Sequence, residues 1–425
     1  MKVNVLLFFI FFSLTCLHSQ KKITRAIAKE SAFKGAQVSI SVFDIEKQKF
    51  KVSFRSDVNI LPASTIKLVT FLGALQIFDD KLPMLHYTKQ KDRFYFWSSG
   101  YPLINHPKYN SNEVLKFLAK QNDSLFYIPR PMTSPALGSG WAWDDLEYEF
   151  SAKKSSFPIH GNLIQIISNT SEDNLEVSPP SFQESITYER SHLNYNININ
   201  EHTYLLSSKK PDTLFVPFTP SEETLLNILE EKLERSIYIG QKKLVDKLEF
   251  KTLTDSKTSV YKALLHNSDN LVAESLVLML SGTSQWELNT QGGILKIEKL
   301  NKLLFKEINQ FDGSGLSRYN LISPKAIIKV LNELHRIIGT EGVKKYFPQL
   351  NHDGTLEDYA PNLPFKFVYA KTGSLKNNHI LAGYLYSSSY KPYSFIISVN
   401  NYTGNYQNVK LAIAKQLFAI FNSLH

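Results

Sequence analysis

The chain has 425 residues, with 48 Lys and Arg against 39 Asp and Glu for a net charge of +9, and it is 43% hydrophobic and 12% aromatic. That length exceeds one average core and predicts two domains, with one large single domain as the alternative, while the apolar content excludes a disordered or collagen-like chain. The positive balance is modest and its lysines are scattered, which describes a solvated basic surface and gives no nucleic-acid footprint.

Lys2 precedes an apolar run over 5–14, and Ser19 follows as a small residue. This is the pattern of a secretory signal peptide over 1–19, and the run is shorter than the ~20 residues that cross a bilayer. Cys16 raises lipoprotein anchoring as the alternative, although Ser13, Leu14 and Thr15 match poorly the small residues that precede a lipidated cysteine. The expectation is an exported, periplasmic protein with no integral membrane span in its mature chain. Cys16 is the only cysteine, so that mature chain has neither disulfide nor thiolate ligand and rests on its core.

Past the leader, residues 21–33 read as helical. Residues 37–44 alternate apolar and polar with period two, 46–49 form a turn, and 50–55 return as the second strand of a hairpin. Pro62 leads into a helix over 64–78, near the first turn where its ring is tolerated. From 81 to 251 the texture changes: 194–200 and 215–218 read as strands among Pro, Asn and Ser, and 222–235 as a helix. This stretch is expected to be a β-rich insert. Helical pattern returns at 260–265 and 270–280, and 367–370, 379–386 and 393–400 are three strands closed by an amphipathic helix over 406–424. Strands at both ends predict one sheet built from both termini, with the middle inserted into it.

Several chemistries lack an anchor. The eleven His residues come no closer than ten positions, at His192 and His202, so no H-x-x-x-H metal pair exists. No G-x-S-x-G elbow, Walker motif or dinucleotide glycine pattern occurs, and no cofactor is expected. Seven S-x-x-K matches remain, at Ser19, Ser31, Ser64, Ser151, Ser207, Ser259 and Ser388, and any one alone is by default a solvated serine. Two rarer triplets, Ser268-Asp269-Asn270 and Lys371-Thr372-Gly373, each occur once, downstream of Ser64-Thr65-Ile66-Lys67. S-x-x-K, S-D-N and K-T-G in that order are the signature of β-lactamases and penicillin-binding proteins. Their contexts agree: a helix start, a helix–helix junction and a strand.

These residues make sense as one site. Ser64 and Lys67 are three apart on a helix and share a face, and the helix N-terminus favours an alkoxide at Ser64. Lys67 acts as base only when neutral, which burial and a second cation at Lys371 would promote. Ser268 is placed to relay a proton to a leaving amine, and the Asn270 amide to hold a peptide group. Lys371, Thr372 and Gly373 on an edge strand offer a cation and a hydroxyl to a terminal carboxylate, and the edge itself can pair with an extended peptide. The backbone N–H groups of Ser64 and Ser374 are the expected oxyanion hole.

The sequence resembles the D-Ala-D-Ala carboxypeptidase/endopeptidase family, the class C low-molecular-mass penicillin-binding proteins. Beyond the triplets, 140–146 (GWAWDDL), 312–317 (DGSGLS), 353–356 (DGTL) and 371–384 resemble family blocks, and the resemblance is thin between 165 and 250. Gly100-Tyr101-Pro102 departs from the family's usual Gly-Asp-Pro. The resemblance implies an α+β penicilloyl-serine transferase domain, an antiparallel sheet flanked by helices, over 20–78 and 255–425, with an inserted β-rich domain over 79–254. It implies a serine peptidase acting on peptidoglycan stem peptides through an acyl-enzyme on Ser64, with β-lactams as covalent inhibitors. The alternatives are a serine β-lactamase and a non-catalytic wall-binding protein of the same fold. No Glu after Asn270 has Asn four positions on, so the water-activating pair of class A β-lactamases is missing. Asp144 and Asp145 could accept the ammonium of a diaminopimelate side chain, or merely cap a helix beside a packed Trp. The 312–317 stretch either lines the site or packs beneath it.

Overall fold

The computed structural model describes residues 27, 29–109, 111–168, 175–189, 196–198, 203–207, 213–361 and 367–424. The leader over 1–19 with Cys16, residues 21–26 and 28 of the expected first helix, and most of the 194–200 strand lie outside the described residues; a 3-10 turn occupies Ser31–Phe33 and a strand Asn196–Asn198.

Five strands, β1 (Gln37–Asp44), β2 (Lys49–Phe54), β3 (Val368–Leu375), β4 (Asn378–Tyr386) and β5 (Pro392–Asn400), form one antiparallel sheet in the order β3-β4-β5-β1-β2. The two ends of the chain meet at β1 and β5, where Val38 faces Val399 and Ile40 faces Ile397. Period-two alternation sends Val38, Ile40, Leu381, Phe395 and Ile397 to one face. There they pack on Val409, Ile413 and Leu417 of the closing helix α6 (Tyr406–Asn422), whose first turn is capped by the Asn405 side chain. The opposite face carries Ile380, Ala382, Tyr384 and Ile396. Both faces of β4 are therefore covered, and every one of its residues is buried. With roughly 1.5–3 kcal/mol from each fully buried large apolar side chain, the sheet is clamped from both sides, and its edge strand β3 is held in a fixed plane.

Behind the second face pack helices α1 (Lys67–Ile77), α2 (Lys257–Leu265), α3 (Asn270–Gly282), α4 (Thr290–Leu300) and α5 (Pro324–Tyr346), with α5 lying directly on the sheet. Phe71 and Leu72 of α1, Leu276 of α3 and Leu331 of α5 share this larger core. The helix expected from residue 64 opens as a 3-10 turn, Ala63–Ile66. Its cause is local: the Pro62 carbonyl accepts from both the backbone N–H and the hydroxyl of Thr65, closing an i→i+3 bond before the α-helix begins.

Between α1 and α2 the chain builds a mixed five-stranded sheet in the order Ile237–Ile239, Ser124–Tyr127, Arg93–Ser98, Lys81–Gln90, Lys251–Ser256. The strand by which the chain enters this region (Lys81–Gln90) pairs with the one by which it leaves (Lys251–Ser256). Leu163–Ser168, Leu175–Ser178 and Thr213–Pro217 make a further small sheet, and the helix read at 222–235 runs over Glu222–Leu233. The class is α+β.

Candidate active site

Ser64 lies in the 3-10 turn and Lys67 opens α1 one turn later, which brings Lys67 Nζ to 3.1 Å from Ser64 Oγ. Lys67 has no solvent exposure. Its other donors go to Asn270 Oδ1 at 2.5 Å and the Ser314 carbonyl at 2.6 Å, so all three ammonium protons are placed. Burial pushes its pKa down to about 8, against the opposing pull of Asp312, Asp269 and Glu274. A buried amine aimed at a hydroxyl, with its pKa lowered toward neutrality, has the chemistry to take that hydroxyl's proton.

The S-D-N triplet forms the corner between α2 and α3. Ser268 turns the chain with φ of +59°, and Ala63 beside the other serine holds +46°. Left-handed φ at a non-glycine costs of order 1–3 kcal/mol, so both hydroxyls are held by strained backbone. Asp269 caps α3 by accepting from the Val272 N–H at 3.0 Å. Ser268 Oγ accepts from Lys371 Nζ at 2.8 Å, and Lys371 is its partner in this resting geometry. The Asn270 amide is engaged at both ends, its Nδ2 donating to the Phe150 carbonyl at 2.8 Å.

Lys371, Thr372, Gly373 and Ser374 lie on β3, at the edge of the sheet. Lys371 is buried, and burial together with the charge of Lys67 holds its pKa well below the ordinary lysine range. Thr372 Oγ1 donates to Thr355 Oγ1 at 3.0 Å. Gly373 is where the edge presses on the turn that carries Ser64: a Cβ there would stand 2.6 Å from the Pro62 carbonyl oxygen. Only glycine permits that approach. Ser374 is exposed, beside the turn. The structure thus holds Ser64, Lys67 and Asn270 in one hydrogen-bonded group and Ser268 with Lys371 in a second, the two joined through the Ser268-Asp269-Asn270 corner, with Thr372, Gly373 and Ser374 following Lys371 along the strand.

The D-Ala-D-Ala carboxypeptidase 3 (S13) family model matches residues 19–86 and 225–421. The chain belongs to this family. It is 22% identical over 415 residues to the D-alanyl-D-alanine carboxypeptidase DacB of Haemophilus influenzae, covering 87% of this chain and 86% of that protein. The crystal structure of penicillin binding protein 4 (dacB) from the same organism superposes with a TM-score of 0.74 at 20% identity, covering 93% of this chain and 99% of the other. Bd3459, a predatory peptidoglycan endopeptidase from Bdellovibrio bacteriovorus, superposes with a TM-score of 0.55 at 16% identity over 91% of this chain and 93% of its own. Family membership makes the chain a serine-type D-Ala-D-Ala carboxypeptidase with the penicilloyl-serine transferase fold, as the three motifs anticipate.

This member of the S13 family carries a further tier of groups that spacing did not reveal. The 312–317 loop lines the site, since its Ser314 carbonyl accepts from Lys67. Two buried carboxylates hold the loop. Glu274 accepts from the Gly313 and Ser314 N–H groups at 2.9 and 2.8 Å, and Asp312 from the Gly315 and Ser317 N–H groups and Trp141 Nε1. Burial and neighbouring Asp312 raise the pKa of Glu274, whose second oxygen faces Lys154 Nζ at 3.8 Å. The 139–145 segment is fixed beside the loop by Ser317 Oγ on the Ser139 carbonyl and Arg318 N–H on the Gly140 carbonyl. On it, Asp145 pairs with Arg318 at 3.3 Å and Asp144 is exposed. Trp143 is 84% exposed, so the packed tryptophan of this segment is Trp141. One signal for this tier was visible: Glu274 is the lone acid in the apolar run 271–280.

Proposed function

We propose that Ser64 Oγ attacks the carbonyl of the penultimate D-Ala of a peptidoglycan stem peptide while neutral Lys67 takes its proton. The oxyanion forms in the hole of the Ser64 and Ser374 N–H groups. Collapse breaks the peptide bond, and the proton reaches the leaving amine through Ser268, releasing D-Ala and leaving an ester on Ser64. Water then hydrolyses the ester. Lys371, Thr372 and Ser374 hold the terminal carboxylate, and the Asn270 amide turns from Phe150 to the substrate. The observation that carries this reading is the fully buried Lys67 amine, 3.1 Å from the Ser64 hydroxyl.

Where the scissile bond belongs to a cross-link, the same steps give endopeptidase action, and β-lactams acylate Ser64 as substrate mimics. The ammonium of a cross-linking diaminopimelate would meet Asp144 and Asp145, with Arg318 setting the position of Asp145. We also infer a catalytic unit from 20–78 and 255–425 with 79–254 inserted, supported by the pairing of the entering and leaving strands. No helix among the described residues is long and apolar enough to cross a membrane, which accords with an exported, periplasmic enzyme. The test is release of free D-Ala from a stem pentapeptide beside cleavage of a cross-linked dimer, in the unaltered protein and in Ser64→Ala. Cleavage of either substrate that vanishes in Ser64→Ala supports the reading; cleavage that survives Ser64→Ala overturns it.

A further inference from the structure

Behind Ser374 stands a polar pair that the reaction as described does not use. His379 on β4 is directly opposite Ser374 on β3, and its side chain is fully buried. His379 Nδ1 is 2.8 Å from Ser374 Oγ, and His379 Nε2 is 2.8 Å from the Tyr359 hydroxyl. Tyr359 is itself buried. The three groups form a line from the core to the rim of the active site.

The direction of this line follows from counting protons. Among the described residues the Tyr359 hydroxyl has one partner, the His379 ring, and a buried O–H proton left without an acceptor is costly. Tyr359 therefore donates to Nε2, which must be the bare nitrogen. A neutral imidazole carries its proton on the other nitrogen. The ring is neutral because burial and the nearby cations Lys410 and Lys371 push its pKa down to about 3, although a backbone hydrogen bond with Gly373 pulls the other way. Tyr406, the other group packed against the ring, meets it edge-on. Nδ1–H then donates to Ser374 Oγ, and the Ser374 proton is left to point outward, where the residue is exposed. The neighbouring Thr372 hydroxyl is directed to Thr355 at rest and must turn to reach a substrate, whereas the Ser374 hydroxyl is already free to donate to an anion.

We propose that Tyr359 and His379 are positioning residues, a one-way relay that fixes Ser374 as a hydrogen-bond donor to the substrate's terminal carboxylate. The inference rests on the reading of Ser374 as part of the carboxylate site. It makes the relay a determinant of selectivity for a free C-terminus, because a carboxylate only accepts whereas a carboxamide can also donate.

The first test is nitrogen NMR on the full chain with isotopically labelled histidine, the His379 signals being assigned by their loss in His379→Asn. The expected spectrum shows a neutral ring protonated at Nδ1. Protonation at Nε2 overturns the inference, and because this is read on resting protein it does so whether or not peptides are cleaved. The second test is the ratio of kcat/KM for a D-Ala-D-Ala peptide to that for its C-terminal carboxamide. Tyr359→Phe removes the proton that holds Nε2 bare, lets the ring turn its acceptor to Ser374, and should lower the ratio about fivefold to tenfold, mainly through KM for the free acid. His379→Phe should lower it similarly, and His379→Asn, whose amide N–H can stand in for Nδ1–H, should restore much of it. Equal losses on the two peptides in Tyr359→Phe would contradict the relay.

Discussion

Lys67 Nζ stands 3.1 Å from Ser64 Oγ, at a position with no solvent exposure, and donates its remaining protons to Asn270 and Ser314. The same burial that makes the amine a usable base commits it to three acceptors. Removing a proton from Lys67 therefore loosens its hold on one of them, which ties the proposed activation of Ser64 to the two elements that supply Asn270 and Ser314.

The pH dependence of acylation follows. Burial lowers the Lys67 pKa to about 8, and only the neutral amine can accept the Ser64 proton. The rate constant for acylation by penicillin should rise with pH up to about 8 and level off above it. A rate that falls as pH rises through that range would place the base elsewhere.

Glu274 should matter to stability and to rate. It accepts two backbone N–H groups of the 312–317 loop and faces the ammonium of Lys154, all in the core. Glu274→Leu strands these groups and should cost about 3–5 kcal/mol, measured as denaturant midpoint and slope. Glu274→Gln keeps an acceptor for the loop and should cost nearer ~1–2 kcal/mol. Both should slow acylation, since the loop carries the Ser314 carbonyl that accepts from Lys67.

Asp145 is paired with Arg318 and its neighbour Asp144 is exposed on the segment flanking the site. Replacing both with Asn should reduce turnover of a diaminopimelate-containing peptide about tenfold, ~1.4 kcal/mol, with much less effect on penicillin acylation. Equal effects on the two would assign the aspartates to local structure.

The Ser64–Lys67 pair and the sheet were legible because each depends on short-range pattern: i,i+3 spacing for the pair, period two along β1, and short apolar runs for β4 and β5. What was not legible depends on distance along the chain. Asn270 meets Lys67 across 203 positions, and no local pattern encodes that hydrogen bond. Helix α4 lacks a clear helical signature in sequence because Gly292 and Gly293 cost ~1 kcal/mol each against alanine in a helix; in the fold Gly293 lets α4 lie against the Val277 carbonyl, where a Cβ would collide. Helix α5 is interrupted at Gly339, with φ of +61°, which breaks its periodicity. The apolar strand pattern of β3 stops at residue 370, since Lys371 and Thr372 look polar in sequence although both are buried, and only the K-T-G triplet marks the strand beyond it. The Tyr359–His379–Ser374 line needed the register of β3 on β4.

The measurement that bears most directly on the central claim is labelling of residues 20–425 with a fluorescent penicillin, followed over hours beside Ser64→Ala and Lys67→Ala. A long-lived adduct is expected in the unaltered protein, none in Ser64→Ala, and acylation slowed about 10²–10⁴-fold in Lys67→Ala. Label that persists in Ser64→Ala, or that turns over rapidly in the unaltered protein, would contradict an acyl-enzyme peptidase built on Ser64.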